Sequence, residues 1–199
     1  MPIQSLFNTE AVSRLIRTRR SIFPRQYSGE VIPRESIELM LENAHWAPNH
    51  GHTEPWFFKV FTGEGLKNLG EAHSGMYKTQ TPEDKFTPVK YDKLRNNPLK
   101  CSHIIAICMR AGTNPKIPET EEIAAVAAAV QNMHLTATAL GIGGYWSSGG
   151  ATYTDEMKTW LGLSPTDKCL GFFYLGVPTG EWPEGLRKTT WQEKVEWVE

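Results

Sequence analysis

Residues 121–151 read EEIAAVAAAVQNMHLTATALGIGGYWSSGGA, and the fold turns on this stretch. From Ile123 to Leu140 apolar residues occupy nearly every helical face, and Gly141 supplies a stop. A helix without a polar side belongs inside a core or an interface. Its alanines, Ala124, Ala125 and Ala127 to Ala129, let neighbouring backbones come close. From Gly141 to Ala151 the chain is rich in glycine and serine around Tyr145 and Trp146, and it reads as a loop. Glycines there let backbone reach a ligand without interference from a Cβ. The pair of segments fits a scaffold for a flat, polar-edged ligand, or a core helix followed by an ordinary loop.

Outward from this centre, HIIAICM (103–109) and KCLGFFYLGV (168–177) are near-continuous apolar runs, as expected of strands covered on both faces. WFFKVF (56–61) is a third strand by its aromatic and β-branched content. Thr9 is placed to cap a first helix with Val12, Leu15 and Ile16 on its apolar side. Pro33 suits the first position of a second, whose Ile37, Met40, Leu41 and Ala44 recur at helical spacing up to Trp46-Ala47-Pro48. A modest helix is expected over 63–76, a polar mobile or lid segment over 81–97, and a helix from Thr154 to Leu161 stopped by Gly162. Three or four strands among about five helices predict an α/β (α+β) chain with a mixed sheet covered by helices on both faces.

Length and composition narrow the class. The 199 residues suffice for one domain with a substantial core, and no repeat or linker divides 1–199. A net charge of -1 argues against nucleic acid or an anionic membrane as partner. No apolar run reaches the ~18 residues of a membrane span, and residues 1–8 lack the apolar region of a signal peptide. The three cysteines, Cys101, Cys108 and Cys169, have no CxxC spacing. They read as passive buried thiols in a reducing, cytoplasmic setting. The six histidines form no cluster able to hold a metal, and neither a nucleophile triad nor a phosphate-loop motif is present.

Four constellations remain. Arg19-Arg20-Ser21 offers two guanidiniums beside a hydroxyl, which suits a phosphate clamp or a solvated basic helix end. His45 to His52, with Trp46, Pro48, Asn49 and His50, is a polar connection of the kind that carries binding groups, though Pro48 also simply ends a helix. Trp146-Ser147-Ser148 is a ligand-facing edge or a packed aromatic with two hydroxyls. Arg187-Lys188 is a second anion contact or a solvated charge pair.

In this order, RTRRSIFPRQY (17–27), APNHGHTEPWFFKV (47–60), LGIGGYWSSG (140–149), GFFYLGVP (171–178) and RKTTWQEKVEW (187–197) resemble the nitroreductase family over essentially the whole chain. The likeness is to its short, single-domain NAD(P)H nitroreductases. It implies a three-layer fold and a homodimer with FMN in each subunit interface. It also implies NADPH or NADH as co-substrate and a small acceptor such as a nitroaromatic or quinone, served in ping-pong order. Relatives in reductive dehalogenation or flavin breakdown, and a flavin-binding protein without turnover, are the alternatives. Carried over by residue, Arg19, Arg20 and Ser21 meet the FMN phosphate and pyrimidine edge, and Arg187 is a second phosphate cation. Trp46, with Pro48 and Asn49 beside it, borders the flavin, and His50 reaches it from the partner. Trp146, Ser147 and Ser148 line its other side, and Thr136–Gly141 receives the nicotinamide nucleotide. No protein residue is expected to act as a catalytic acid, base or nucleophile, because the flavin carries the redox step. Glu54 stands where relatives carry Gln, and Ser147 where many carry Arg, so the site has less positive charge than theirs.

Overall fold

The computed structural model describes residues 5–199; half of the opening stretch read for a signal peptide, residues 1–4, lies outside them. The elements run α1 (Thr9–Thr18), α2 (Arg34–His45), β1 (Trp56–Phe61), α3 (Glu64–Gln80), α4 (Pro88–Asn96), β2 (His103–Met109), α5 (Glu119–Ala139), β3 (Gly143–Ser147), α6 (Asp155–Leu161) and β4 (Lys168–Gly176). One four-stranded sheet has the order β1-β2-β4-β3. β2 is buried at every position, and alternate side chains feed two cores. On one face Ile105, Ile107, Phe173 and Leu175 meet Met40 of α2 and Val126, Val130 and Met133 of α5. On the other, Ile104, Ala106, Phe172 and Tyr174 meet Leu66 and Leu69 of α3 and Met157 and Leu161 of α6. The result is the expected helix–sheet–helix layering. Each fully buried large apolar side chain here contributes about 1.5–3 kcal/mol.

Several local expectations are revised. All strand pairs are antiparallel, and the only parallel pairing among the described residues is the isolated bridge between Ser21 and Gly144. The glycine-rich segment after α5 is not a loop at its centre: residues 143–147 are the edge strand β3. Its glycines serve packing, since a Cβ on Gly144 would lie 2.6 Å from Phe173 Cζ. The supposed lid contains α4, opened by Pro88 and anchored by buried Leu94. Phe86 stacks on Tyr77 at 5.4 Å, so this segment is tied to α3. Asn8, not Thr9, caps α1, its side chain accepting from Ala11 N–H at 3.0 Å, and Pro33 is the cap of α2 rather than its first residue. Thr154 and Gly162 cap α6 as read from sequence.

The central helix has two unlike sides. Val126, Ala129, Val130, Met133 and Ala137 are buried against the sheet. Ala124 is exposed, and Ala127 and Ala128 are only half-buried. An alanine surface thus faces outward at the middle of α5.

Candidate functional site

The chain leaves α1 at Arg19, whose N–H donates to Leu15 O at 3.1 Å while its backbone turns extended. The next residues lie along the free edge of β3: Ser21 bridges Gly144, and Ile22 N–H donates to Gly144 O at 3.0 Å. Arg20 is folded back, Nη1 donating to the carbonyls of Arg17 and Arg19 at 2.6 Å each. Its Nε is buried and has no partner. The tail returns to the same corner, with Trp182 Nε1 donating to Thr18 O at 2.8 Å and Gly185 lying against the Arg20 guanidinium with no room for a Cβ.

Arg187 arrives with the tail, and its charge together with that of Arg20 adds to the effect of partial burial in lowering the Arg19 pKa. Among the described residues none of these three guanidiniums is paired with a carboxylate. Like charges collected without a counter-charge are a place where an anion gains the most. A planar guanidinium with an unused N–H suits a phosphate or carboxylate oxygen.

Under this corner sits His134, a polar side chain inside the apolar helix. Its Nε2 donates to Arg20 O at 2.9 Å, and its ring meets Phe173 edge-on at 5.0 Å. Burial, followed by the Arg19 charge, brings its pKa down to about 4. A neutral imidazole is thus the peg that holds the arginine backbone in place. Along β3, Trp146 Nε1 donates to Leu170 O at 3.0 Å, Ser147 lies opposite Phe172, and Ser148 is exposed where the strand ends. His73 pins the turn that follows: Nε2 accepts from Ala151 N–H at 3.1 Å, and burial takes its pKa down to about 4. Neither histidine was singled out from the sequence. The available signal was a lone imidazole within each apolar helical pattern.

The second group occupies a different place. α2 stops at His45, and Trp46 caps it with 80% of its surface exposed. Asn49 Oδ1 accepts from Glu54 N–H at 3.2 Å, while His52 and Glu54 hold positive φ of 54° and 44°. Such values are costly for residues other than glycine and mark a constrained segment. His50 Nδ1 pairs with Glu121 Oε2 at 2.6 Å. Pro48, Asn49 and His50 form one wall of an open cleft of about 460 Å³, with Ala124 and Ala128 of α5 as the other. Thr136, expected to meet a nicotinamide nucleotide, holds α2 to α5, its hydroxyl accepting from Asn43 Nδ2 and donating to Asn132 O, each at 2.9 Å.

Arg19, Arg20, Ser21 and Arg187 therefore converge beside β3, where Trp146 and Ser147, with Ser148 just past the strand, continue the same edge. Pro48, Asn49 and His50 do not join them within one chain. His134 and Glu121 are thirteen residues apart on α5, about 20 Å at a rise of 1.5 Å per residue. Among the described residues no group of acidic, histidine and cysteine side chains could hold a metal, and no helix is long and apolar enough to cross a membrane.

A family model described as "Nitroreductase family" matches residues 16–177. The chain is 31% identical over 191 residues to "Putative NAD(P)H nitroreductase YfhC" of Bacillus subtilis (strain 168), covering 95% of both. The crystal structure of a nitroreductase-like family protein from Bacillus cereus superposes with a TM-score of 0.81 at 28% identity, covering 99% of both chains. That of a nitroreductase with bound FMN from Bacteroides fragilis gives 0.69 at 25% identity, covering 94% of this chain and 98% of that one.

Proposed function

Because this chain belongs to the nitroreductase family, we propose that residues 1–199 form a single FMN-dependent domain. In this reading it is a cytoplasmic oxidoreductase that passes electrons from NADPH or NADH to a small acceptor, such as a nitroaromatic or quinone, in ping-pong order. The observation that carries the reading is the unpaired cluster of Arg19, Arg20 and Arg187, with the partnerless Nε of Arg20 beneath it. These residues fit the phosphate of FMN, and Ser21 beside them is free to meet a polar ring edge. Bound there, FMN would supply the redox chemistry.

The protein's part is to bind, orient and exclude water. Trp146, Ser147 and Ser148 border the slot along β3, and His134 holds the Arg20 carbonyl and so the clamp. Trp46 borders the site from the end of α2, whereas Pro48, Asn49 and His50 belong to it only if they come from a second chain. The geometry of α5 supports this. Ala127 and Ala128, half-buried, lie midway between Glu121 and His134. A two-fold axis passing there sets one chain's His50 end against the partner's arginine end. A homodimer with FMN at the subunit interface follows.

The test uses mixed dimers. Arg19→Ala and His50→Ala chains, each crippled as a homodimer, are co-refolded, and flavin content and NADPH- and NADH-driven quinone reduction are measured. A heterodimer has one site with both defects and one with neither, so flavin and turnover should return. Mixtures no better than their parents would overturn the shared site, and a wild-type chain that refuses FMN would overturn the whole reading.

A further inference from the structure

Among the features that this reading does not use, one pair of side chains stands out. Cys108 of β2 and Cys169 of β4 are far apart in sequence, yet they are direct cross-strand partners. A single irregularity in the ladder creates the pairing. Ile107 lies opposite Gly171, and the register then shifts, so that Cys108 meets Cys169 and Met109 meets Lys168. Unbroken, the ladder would set Cys108 against Leu170. The extra residue turns Leu170 toward the α5 core and brings Cys169 onto the face that holds Cys108.

Directly opposed residues in antiparallel strands have Cα atoms about 4.5 or 5.5 Å apart, and both values lie within the ~4.4–6.8 Å span of a disulfide. Both thiols are free, and their closeness raises the Cys108 pKa and lowers that of Cys169. Two cations approach the pair: Lys59, whose Nζ donates to Leu161 O at 2.7 Å, and Arg110, which lies 3.6 Å over the Phe57 ring. Both thiols are buried, Cys169 with 2% of its surface exposed, and Cys169 is among the residues around a cleft of about 310 Å³ with Tyr153 and Lys168.

We propose that Cys108 and Cys169 are a redox-active pair which a hydroperoxide closes into a cross-strand disulfide. The Cys169 sulfur attacks a peroxide oxygen, the O–O bond breaks, and the thiol proton leaves with the departing hydroxide as water. The Cys108 sulfur then displaces hydroxyl from the resulting sulfenic acid, and its proton leaves with that hydroxyl as a second water. Two thiols and one hydrogen peroxide give one disulfide and two waters; the dithiol loses two electrons and the peroxide gains them. The bulge carries the event further, because the Leu170 carbonyl that it frees is the acceptor for Trp146 Nε1. Gly171, at φ 137°, has no Cβ to collide with that indole. Closing the pair thus acts on the support of Trp146.

The experiment treats purified, folded protein with hydrogen peroxide, alkylates it under denaturing conditions and reads intact and peptide masses. Before alkylation the oxidised chain should be about 2 Da lighter, and one of its three thiols should remain alkylatable. The linked peptides should contain Cys108 and Cys169, and dithiothreitol should restore all three thiols. Cys101→Ser should behave as wild type, and Cys169→Ala should lose the mass change. Three thiols surviving oxidation, a bond through Cys101, or sulfinic and sulfonic products without linkage would overturn the proposal. The wild-type masses stand alone if a variant fails to fold. No flavin enters the readout, so a negative result leaves the FMN reading untouched.

Discussion

The two ends of α5 are built on opposite principles. At its C-terminal half, charge is concentrated and left unanswered: Arg19, Arg20 and Arg187 share a corner, backed by a neutral His134 and a glycine strand. At its N-terminal end, charge is answered on the spot, with His50 paired to Glu121, beside an open cleft walled by Ala124 and Ala128. The first end is organised within one chain, and its charge suits an anion. The second has its polar groups met and its apolar groups uncovered, the condition that the proposed dimer would satisfy. Unbalanced charge gathered in one corner suits a small anion, and exposed apolar surface suits a macromolecular contact.

The largest expected effect tests the first end. Removing one partner of a desolvated charged contact costs about 2–5 kcal/mol, so Arg19→Ala should bind FMN roughly 30-fold to several-thousand-fold more weakly. Equilibrium dialysis checks this, and unchanged affinity would remove the phosphate from that corner.

Next in size are two buried imidazoles, His134 behind that corner and His73 at the turn after β3. His73 and His134 have folded pKa values near 4 against an ordinary 6.5, because burial disfavours their charged forms. The unfolded chain therefore binds more protons between these values, and stability falls as pH drops from about 6.5 to about 4, then levels off. Each group contributes up to ~3 kcal/mol across the window. Urea midpoints at pH 7, 5.5 and 4 measure the loss, and a flat profile would mean that neither imidazole is held neutral.

A third variant, Gly144→Val, sharpens the distinction between ligand slot and packing. Read from sequence, Gly144 belongs to a loop facing a ligand, and its replacement should disturb flavin absorbance more than stability. In the structure its missing Cβ makes room for Phe173 and His134. Overpacking of that kind costs about 1–3 kcal/mol, so thermal melting should register the change as clearly as the flavin spectrum. An unshifted melting temperature would return Gly144 to the ligand side.

The smallest effect belongs to the other end. His50 and Glu121 are both about half exposed, and pairs of this kind contribute less than about 1 kcal/mol. His50→Ala should leave the chain's denaturant midpoint nearly unchanged while abolishing activity in homodimers. A large loss of stability would make His50 a structural residue of its own chain, and the contrast between the two ends would collapse.

Much of this was legible before any coordinates. The strands Trp56–Phe61 and His103–Met109 carry their assignment in unbroken apolar and β-branched runs, because a strand covered on both faces has no polar positions to show. Thr154 and Gly162 bracket α6 through local backbone hydrogen bonds that depend on no distant residue. The segment 81–97 misled because its composition is polar, whereas its order comes from Tyr77, Phe86 and Leu94 packing across a turn. GGYWS misled for the reverse reason: glycine is rare in strands unless something presses against it, and here that something is Phe173.

The sequence by itself determined the class of the fold, the apolar central helix and the presence of two arginine-bearing segments, since periodicity and residue type act locally. Only the tertiary structure decided that those arginines share a corner without a counter-charge, and that His134 props it. The same holds for the distance that keeps His50 some 20 Å away along α5, and for the one-residue shift that sets Cys108 against Cys169. These depend on which backbones lie side by side. That is settled by how two cores close around one sheet, a property no window of sequence contains.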